Sequence, residues 1–428
     1  MLEKNFLFVS SDGRSGDLAW KILKEGHNIK YFIKKPSEKE IYDGFFPKVD
    51  DWRKEIDWAD IIIFDDVIWG DRAKNLRKNG KLVVGGTPYT DRLENDRAFG
   101  QEELKKRRIA IIPHKDFISF DNAIAFVQEN PDRYVLKPSG KAQNNKSLLF
   151  VGNEEKGRDL IKVLHDYKKA WSKKITTFQL QKRITGVEIA VGAFFNGKKF
   201  MYPININFEH KKLFPGELGP STGEMGTSMF WSNPNKLFNK TPKKFESIFA
   251  KENYIGYVDI NCIVNGNGIY PLEWTTRFGF PTMSIQQESI VTPIGEFFYD
   301  LANGASPKLK VKNGFHVGVQ IVVPPFPFND KKTFEIMSKD SVVHFKNGVN
   351  GIHIGDIKEV GGEWVITGTQ GIALIVCGTG QTMKQAKSLA YKRISTIIIP
   401  HMYYRDDIGD RWEEDSDKLH IWGYLREI

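Results

Sequence analysis

Gly256-Tyr-Val-Asp-Ile-Asn261, the turn Asn265-Gly-Asn-Gly268 and Tyr270-Pro-Leu-Glu-Trp-Thr-Thr-Arg-Phe-Gly279 form the most informative stretch of the chain. Two apolar runs flank an Asn-Gly turn, which predicts a β-hairpin. Asp259 and Glu273 then lie on neighbouring antiparallel strands. If both face one side, their carboxylates can share a hard divalent cation beside a nucleotide's phosphates. Two unrelated surface acids on a hairpin would give the same spacing, and the spacing leaves both readings open.

Two upstream stretches add to this. Tyr134-Val-Leu-Lys137-Pro-Ser-Gly-Lys141-Ala-Gln-Asn-Asn-Lys146 puts a strand lysine before a small, polar, basic loop. Such a loop can fold over a polyphosphate, although a plain exposed loop reads the same way. Gln181-Lys-Arg-Ile-Thr-Gly-Val-Glu188 carries a carboxylate into the strand that follows, as an ordinary hairpin would.

Around these lie further elements. Residues 5–10, 61–64 and 82–84 are short apolar runs, and 18–24 has helical spacing, which together predict an open parallel sheet over about 100 residues. Strands are expected at 109–112, 134–136, 148–151, 178–181, 188–195, 258–264 and 268–272. Helices are expected at 99–106, 158–168 and 383–394. Pro324-Pro-Phe-Pro327 reads as an irregular crossing.

The 428 residues carry 62 Lys+Arg and 53 Asp+Glu, a net charge of +9. This suits anionic substrates. The basic residues are scattered among acids, which argues for a solvated surface rather than a nucleic-acid interface. Two cysteines, Cys262 and Cys377, exclude a disulfide scaffold and a cysteine-based zinc site. No apolar run approaches the roughly 18 residues of a membrane span, and the short apolar stretch 6–9 is no signal peptide. A cytoplasmic protein is expected.

In order and spacing the three stretches resemble the ATP-grasp superfamily: strand lysine with lid loop, adenine hinge, acidic metal hairpin. The resemblance narrows to the glycinamide ribonucleotide synthetases. Glu273-Trp-Thr275-Thr-Arg277-Phe-Gly279-Phe280-Pro looks like that family's E-F-N-x-R-F-G-D-P. Glu209-His-Lys211-Lys and Gly219-Pro-Ser-Thr222-Gly223-Glu-Met225-Gly226 look like its D-H-K-R and G-P-N-T-G-G-M-G. Tyr403-Tyr-Arg-Asp-Asp-Ile-Gly409 looks like Y-Y-R-x-D-I-G. Gly13-Arg14 and 18–21 match parts of its N-terminal glycine-rich loop.

The resemblance implies an α/β and α+β protein in three parts. These are an N-terminal pre-ATP-grasp domain (1–105), an ATP-grasp domain (106–315, lid about 120–190) and a strand-rich C-terminal domain (316–428). It implies a ligase that phosphorylates a carboxylic acid such as glycine with ATP and passes the acyl group to an amine, working as a monomer or homodimer. By the same resemblance Arg97, Lys137, Lys141, Gln181, Lys182, Arg183, Ile184 and Glu188 hold ATP. Asp259, Glu273 and Thr275 hold Mg²⁺, or Mn²⁺ in its place. Lys211 and Arg277 act on the transferring phosphoryl group, and the lid 139–147 closes over the phosphates. Gly13, Arg14, Thr222, Gly223, Met225, Gly226 and Arg277 bind the acid and the amine.

Three departures stand out. Thr275 replaces a metal-ligand Asn, Phe280 replaces an acid, and Asp12, Asp17, Asp65 and Asp66 make the amine-substrate loops acidic. They leave open a changed amine acceptor, or a protein that binds ATP without turnover.

Overall fold

The computed structural model describes residues 2–142 and 148–427. Phe6-Leu-Phe-Val9 is apolar on both faces, as a central parallel strand must be, and all four side chains are fully buried. They form β1 (Asn5–Ser10), flanked by β2 (Asn28–Ile33), β3 (Ile61–Phe64) and β4 (Val83–Val84) in the parallel order β2-β1-β3-β4. Helices α1 (Gly16–Lys24), α2 (Gly70–Lys78), α3 (Pro88–Asn95) and α4 (Arg97–Lys106) accompany it. The expected open parallel sheet is therefore present, with β2 as an added edge strand.

A small antiparallel sheet follows: β5 (His114–Phe117), β6 (Tyr134–Pro138), β7 (Phe150–Val151) and β8 (Phe178–Lys182), backed by α5 (Phe120–Glu129) and α6 (Arg158–Trp171). The strand expected at 109–112 does not form. Ile109 and Ile112 are buried at 6% and 5% exposure, and they anchor a connecting segment that begins at Arg108 with φ 55°. The apolar run marks packing rather than pairing.

The large antiparallel sheet has eight strands in the order β13-β12-β9-β10-β11-β14-β19-β16. It contains β9 (Val187–Asn196), β10 (Ile204–Phe214), β11 (Leu218–Ser232), β12 (Ile255–Asn265) and β13 (Gly268–Thr275). Helices α7 (Lys236–Lys240), α8 (Glu246–Lys251), α9 (Thr282–Ser289) and α10 (Ile294–Ala302) intervene or follow. The sheet continues through β14 (Phe315–Val322), and after α11 (Lys331–Met337) and β15 (Val342–Phe345) it gains β16 (Ile352–Ile354). Next come β17 (Ile357–Val360), β18 (Glu363–Ile366), β19 (Ile372–Gly380), α12 (Met383–Ile394), β20 (Ile397–Ile398) and α13 (Trp412–Ile421). Strands β17, β18, β15 and β20 make a separate four-stranded sheet.

One face of the large sheet is apolar. Val187, Ile189, Val191 and Phe195 pack there with Val258, Ile260 and Phe208. The alternate residues Glu188, Asn207, Glu209, Asp259 and Asn261 fall on the other face, as the period of two requires. That polar face carries the candidate site. Among the described residues, no helix is long and apolar enough to cross a membrane.

Candidate active site

The Asn265-Gly-Asn-Gly268 turn forms as expected, with Asn265 Oδ1 accepting from the backbone N–H of Asn267 (2.9 Å) and Gly268 (3.2 Å). It sets the register of β12 on β13 as far as Cys262 and Pro271. Asp259 lies opposite Thr275 and Asn261 opposite Glu273, with an irregularity after Asn261. Directly paired residues share a face, so all four point to the same side. Glu273's cross-strand partner is thus Asn261, which the sequence reading did not single out. The Asn261 amide donates to Glu209 (2.9 Å) and Glu188 (3.2 Å), and its Oδ1 accepts from no described residue.

Lys211 is the centre of this face. Its Nζ lies 2.9 Å from Glu188, 3.1 Å from Glu209 and 3.0 Å from Glu273. Burial disfavours its charge, but these three carboxylates outweigh burial and hold the ammonium well above its usual range. Glu188 is partly buried, which disfavours its charge, yet Lys211 pulls its carboxyl below the ordinary value. Arg411 fastens the two strands beneath, donating to the backbone carbonyls of Glu188 (3.1 Å) and Glu209 (3.3 Å). His210, beside Lys211, is 2% exposed and driven down to about 3 by burial and then by Arg411 and Arg405. It stays a neutral imidazole near pH 7.

A cavity of about 450 Å³ separates this cluster from the small sheet. Lys137 and Arg97 line it, and Arg97 donates to the Pro138 carbonyl at 2.7 Å. Arg277 lines it too, held by Glu94 at 3.2 Å. The structure therefore brings together Arg97, Lys137, Lys211, Asp259, Glu273, Thr275 and Arg277, with Glu188 joined through Lys211. The hinge residues Gln181, Lys182, Arg183 and Ile184 do not line this cavity. Gln181 is buried, Lys182 pairs with Asp132 at 2.9 Å and Arg183 donates to the Gly152 carbonyl at 3.0 Å. The Lys141 side chain and the lid residues 143–147 lie outside the described residues.

A second cavity, about 1010 Å³, adjoins the first. Asp12, Arg14, Asp65, Asp66 and Thr222 line it, and Asp66, Gly223, Glu224, Arg277 and Phe280 line both. Arg14 is engaged by Asp356 (3.5 Å) and Asp12 (3.6 Å) and lies over the Phe280 ring. Gly13 has φ +97°, and Tyr42 covers it, its hydroxyl donating to the Gly13 carbonyl at 2.7 Å. Thr222 is bound to the Lys211 carbonyl at 2.8 Å.

Two expected substrate residues fall elsewhere. Met225 is fully buried with Leu213 and Val322. Gly226 is where β11 meets β14; a Cβ there would stand 2.6 Å from the Gly318 carbonyl. Asp17, expected to face the substrate loop, is buried instead. It accepts from Gln287 (2.8 Å) and the Ile354 N–H (3.2 Å) and lies 2.9 Å from His353. The Tyr403–Gly409 motif also proves architectural. Arg405 is fully buried, pairs with Glu217 and Asp407, and donates to the Lys212 carbonyl at 2.9 Å.

Burial raises the Asp65 carboxyl to about 7, against the hydroxyls of Ser10 and Ser15. Between about pH 4 and 7 the fold then keeps a proton that the unfolded chain releases, so this group's contribution to stability declines as pH rises through that window. Asp65→Asn is expected to gain on the parent by ~1–3 kcal/mol more at pH 8 than at pH 5. Denaturant titrations at the two pH values measure this, and an equal difference at both would show Asp65 ionised in the fold.

A parallel N-terminal sheet, a small antiparallel sheet over a large one, and a cationic and carboxylate cluster in the cleft between them define an ATP-grasp protein. The chain belongs to the phosphoribosylglycinamide synthetase family. Residues 95–283 match its ATP-grasp (A) domain and residues 316–411 its C domain, together about two-thirds of the chain. A phosphoribosylamine–glycine ligase of Streptococcus pneumoniae is 23% identical, the match covering 95% of this chain and 99% of that one. The crystal structure of phosphoribosylamine–glycine ligase from Thermotoga maritima shares the fold with TM-score 0.70 and 20% identity, covering 94% of this chain and 100% of that one. The biotin carboxylase domain of a Hydrogenobacter thermophilus 2-oxoglutarate carboxylase, solved with MgADP, shares it at TM-score 0.60 and 13% identity, each chain covered to 99%.

Proposed function

We propose that the protein is an ATP-dependent carboxylate–amine ligase that works through an acyl phosphate, with glycine as the acid and phosphoribosylamine as the amine. The single observation that carries this is the 450 Å³ cleft, lined by Lys137 from the small sheet, by Lys211 and Glu273 from the large sheet, and by Arg97 and Arg277. Such a cleft places cations around a transferring phosphoryl group, so its work is positioning and charge neutralisation. The family and the named relatives supply the substrates.

Lys137 and Arg97 take the ATP phosphates, and Arg97's planar fork suits bidentate contact. Adenine falls to Ile184 and the hinge backbone, because the Lys182 and Arg183 side chains are engaged elsewhere. Glu188 takes the ribose. Lys211 and Arg277 steady the phosphoryl group as it passes to the acid's carboxylate. Glu273, the Asn261 carbonyl oxygen and the Thr275 hydroxyl form a hard oxygen set that fits Mg²⁺, or Mn²⁺. A divalent ion there would neutralise phosphate charge. The amine enters from the 1010 Å³ cavity.

A specific observation favours a second reading of the acceptor alone. Arg14 is already engaged by two carboxylates, and Asp12, Asp65 and Asp66 line the acceptor cavity. An amine without a phosphate would meet less repulsion there.

The test is ADP release from Mg-ATP and glycine, with and without phosphoribosylamine generated in place from ammonia and ribose 5-phosphate. Release that requires both co-substrates is expected. Release with glycine and an unphosphorylated amine only would move the assignment to the second reading. No release under any combination would overturn the ligase assignment.

A further inference from the structure

Glu224 stands where the family's G-P-N-T-G-G-M-G pattern has glycine. It is 7% exposed, yet it lines both cavities. Its Oε1 accepts from no described residue. The charged groups facing it are Glu209 and Lys211 from β10, Asp259 from β12 and Arg277 after β13. Lys211 and Arg277 are already held by Glu188, Glu209, Glu273 and Glu94. Glu224 is thus a buried carboxyl with an uncommitted oxygen, placed where the acid-activating cleft opens into the acceptor cavity.

We propose that Glu224 is the general base of the ligation step, a catalytic residue where the family pattern has glycine. The proposal rests on the ligase reading above. The amine's lone pair forms the C–N bond to the acyl carbon. The C–O bond to phosphate breaks, and phosphate leaves with that electron pair. The nitrogen must then shed a proton, which the Glu224 carboxylate takes. Glu224 lies on the wall that the two cavities share, between the site proposed for the acyl phosphate and the cavity proposed for the amine. Burial, and then Glu209, raises the Glu224 carboxyl well above its ordinary value, so ligation should speed up with rising pH as the carboxylate forms.

Hydroxylamine separates this role from folding or acid binding, because it attacks acyl phosphates without a base. The experiment compares glycine hydroxamate formation with ligation to phosphoribosylamine in the parent, Glu224→Gln, Glu224→Gly and Glu224→Asp. Glu224→Gln and Glu224→Gly are expected to lose roughly 10²–10⁴-fold in ligation while hydroxamate formation changes by less than about threefold. Glu224→Asp, which keeps a carboxylate, is expected to recover part of the ligation rate. Ligation unchanged in Glu224→Gln, or ligation and hydroxamate formation falling together, would overturn the proposal. A parent protein that forms neither product would overturn the ligase reading, and this proposal with it.

Discussion

Glu273→Ala is expected to lower kcat by roughly 10²–10³ and to remove the dependence of turnover on added Mg²⁺, with the fold kept. The carboxylate is the one charged member of the oxygen set formed with Asn261 and Thr275, so truncating it leaves only neutral donors for a divalent ion. Its removal does not strand Lys211, whose Nζ keeps Glu188 at 2.9 Å and Glu209 at 3.1 Å. The residue sits on β13, the edge strand of the large sheet, with its side chain 43% exposed. Stability should therefore shift by no more than about 0.5 kcal/mol, the usual range for an exposed site. Steady-state ADP release across a Mg²⁺ titration, beside a denaturant melt, measures both. Unchanged kcat with unchanged metal dependence would remove Glu273 from the site.

Lys211→Met is expected to damage both activity and stability. Three carboxylates lie within 3.1 Å of one ammonium. Methionine preserves the stem's packing but leaves those charges facing one another. Removing one member of a buried ion pair costs about 3–5 kcal/mol. Lys211 is 28% and Glu273 43% exposed, so solvent screening brings the expected loss to ~2–3 kcal/mol. The sign with pH follows from Glu188. Its carboxyl is partly buried, but Lys211 holds it below the ordinary value, so its stabilising contribution is present above the unfolded value of about 4.3 and is lost as pH falls through the folded value. In Lys211→Met that contribution is gone. The stability gap between parent and variant should be widest near pH 7.5 and should narrow on acidification below about pH 4. Urea melts at the two pH values test this, and a gap independent of pH would mean the cluster is not electrostatically coupled. Turnover should fall by roughly 10²–10³ if Lys211 steadies the transferring phosphoryl group as proposed.

Much of the site was legible because its signals are local. The Asn-Gly turn announces the β12–β13 hairpin, and Glu273 and Thr275, two residues apart on β13, share a face. Lys137 at the end of an apolar strand and Lys211 in its motif were equally readable. Asn261 was not. The register shifts between Asn261 and Cys262, and nothing in the surrounding residues announces the irregularity that sets Asn261 opposite Glu273. The Gly219–Gly226 stretch has three glycines and a proline and reads as a loop. It belongs to a 15-residue strand, β11, and Gly226 serves the close approach of Gly318. β10 and β2 also went unread, for β2 alternates polar and apolar residues as an edge strand does. Asp17 looked like a substrate-loop acid because its partners are distant in sequence. Gln287, Ile354 and His353 reach it from 270 or more residues away. Local chemistry was visible, and contacts made only by the folded chain were not.

The central claim is that the acid is activated as an acyl phosphate in the cleft between Lys137 and Lys211. The most direct test supplies glycine with ¹⁸O in both carboxylate oxygens, together with ATP, Mg²⁺ and phosphoribosylamine, and weighs the phosphate released. Transfer through an acyl phosphate carries one ¹⁸O from each glycine turned over into inorganic phosphate, leaving the other in the amide. Phosphate free of ¹⁸O, with amide formed, would contradict the account.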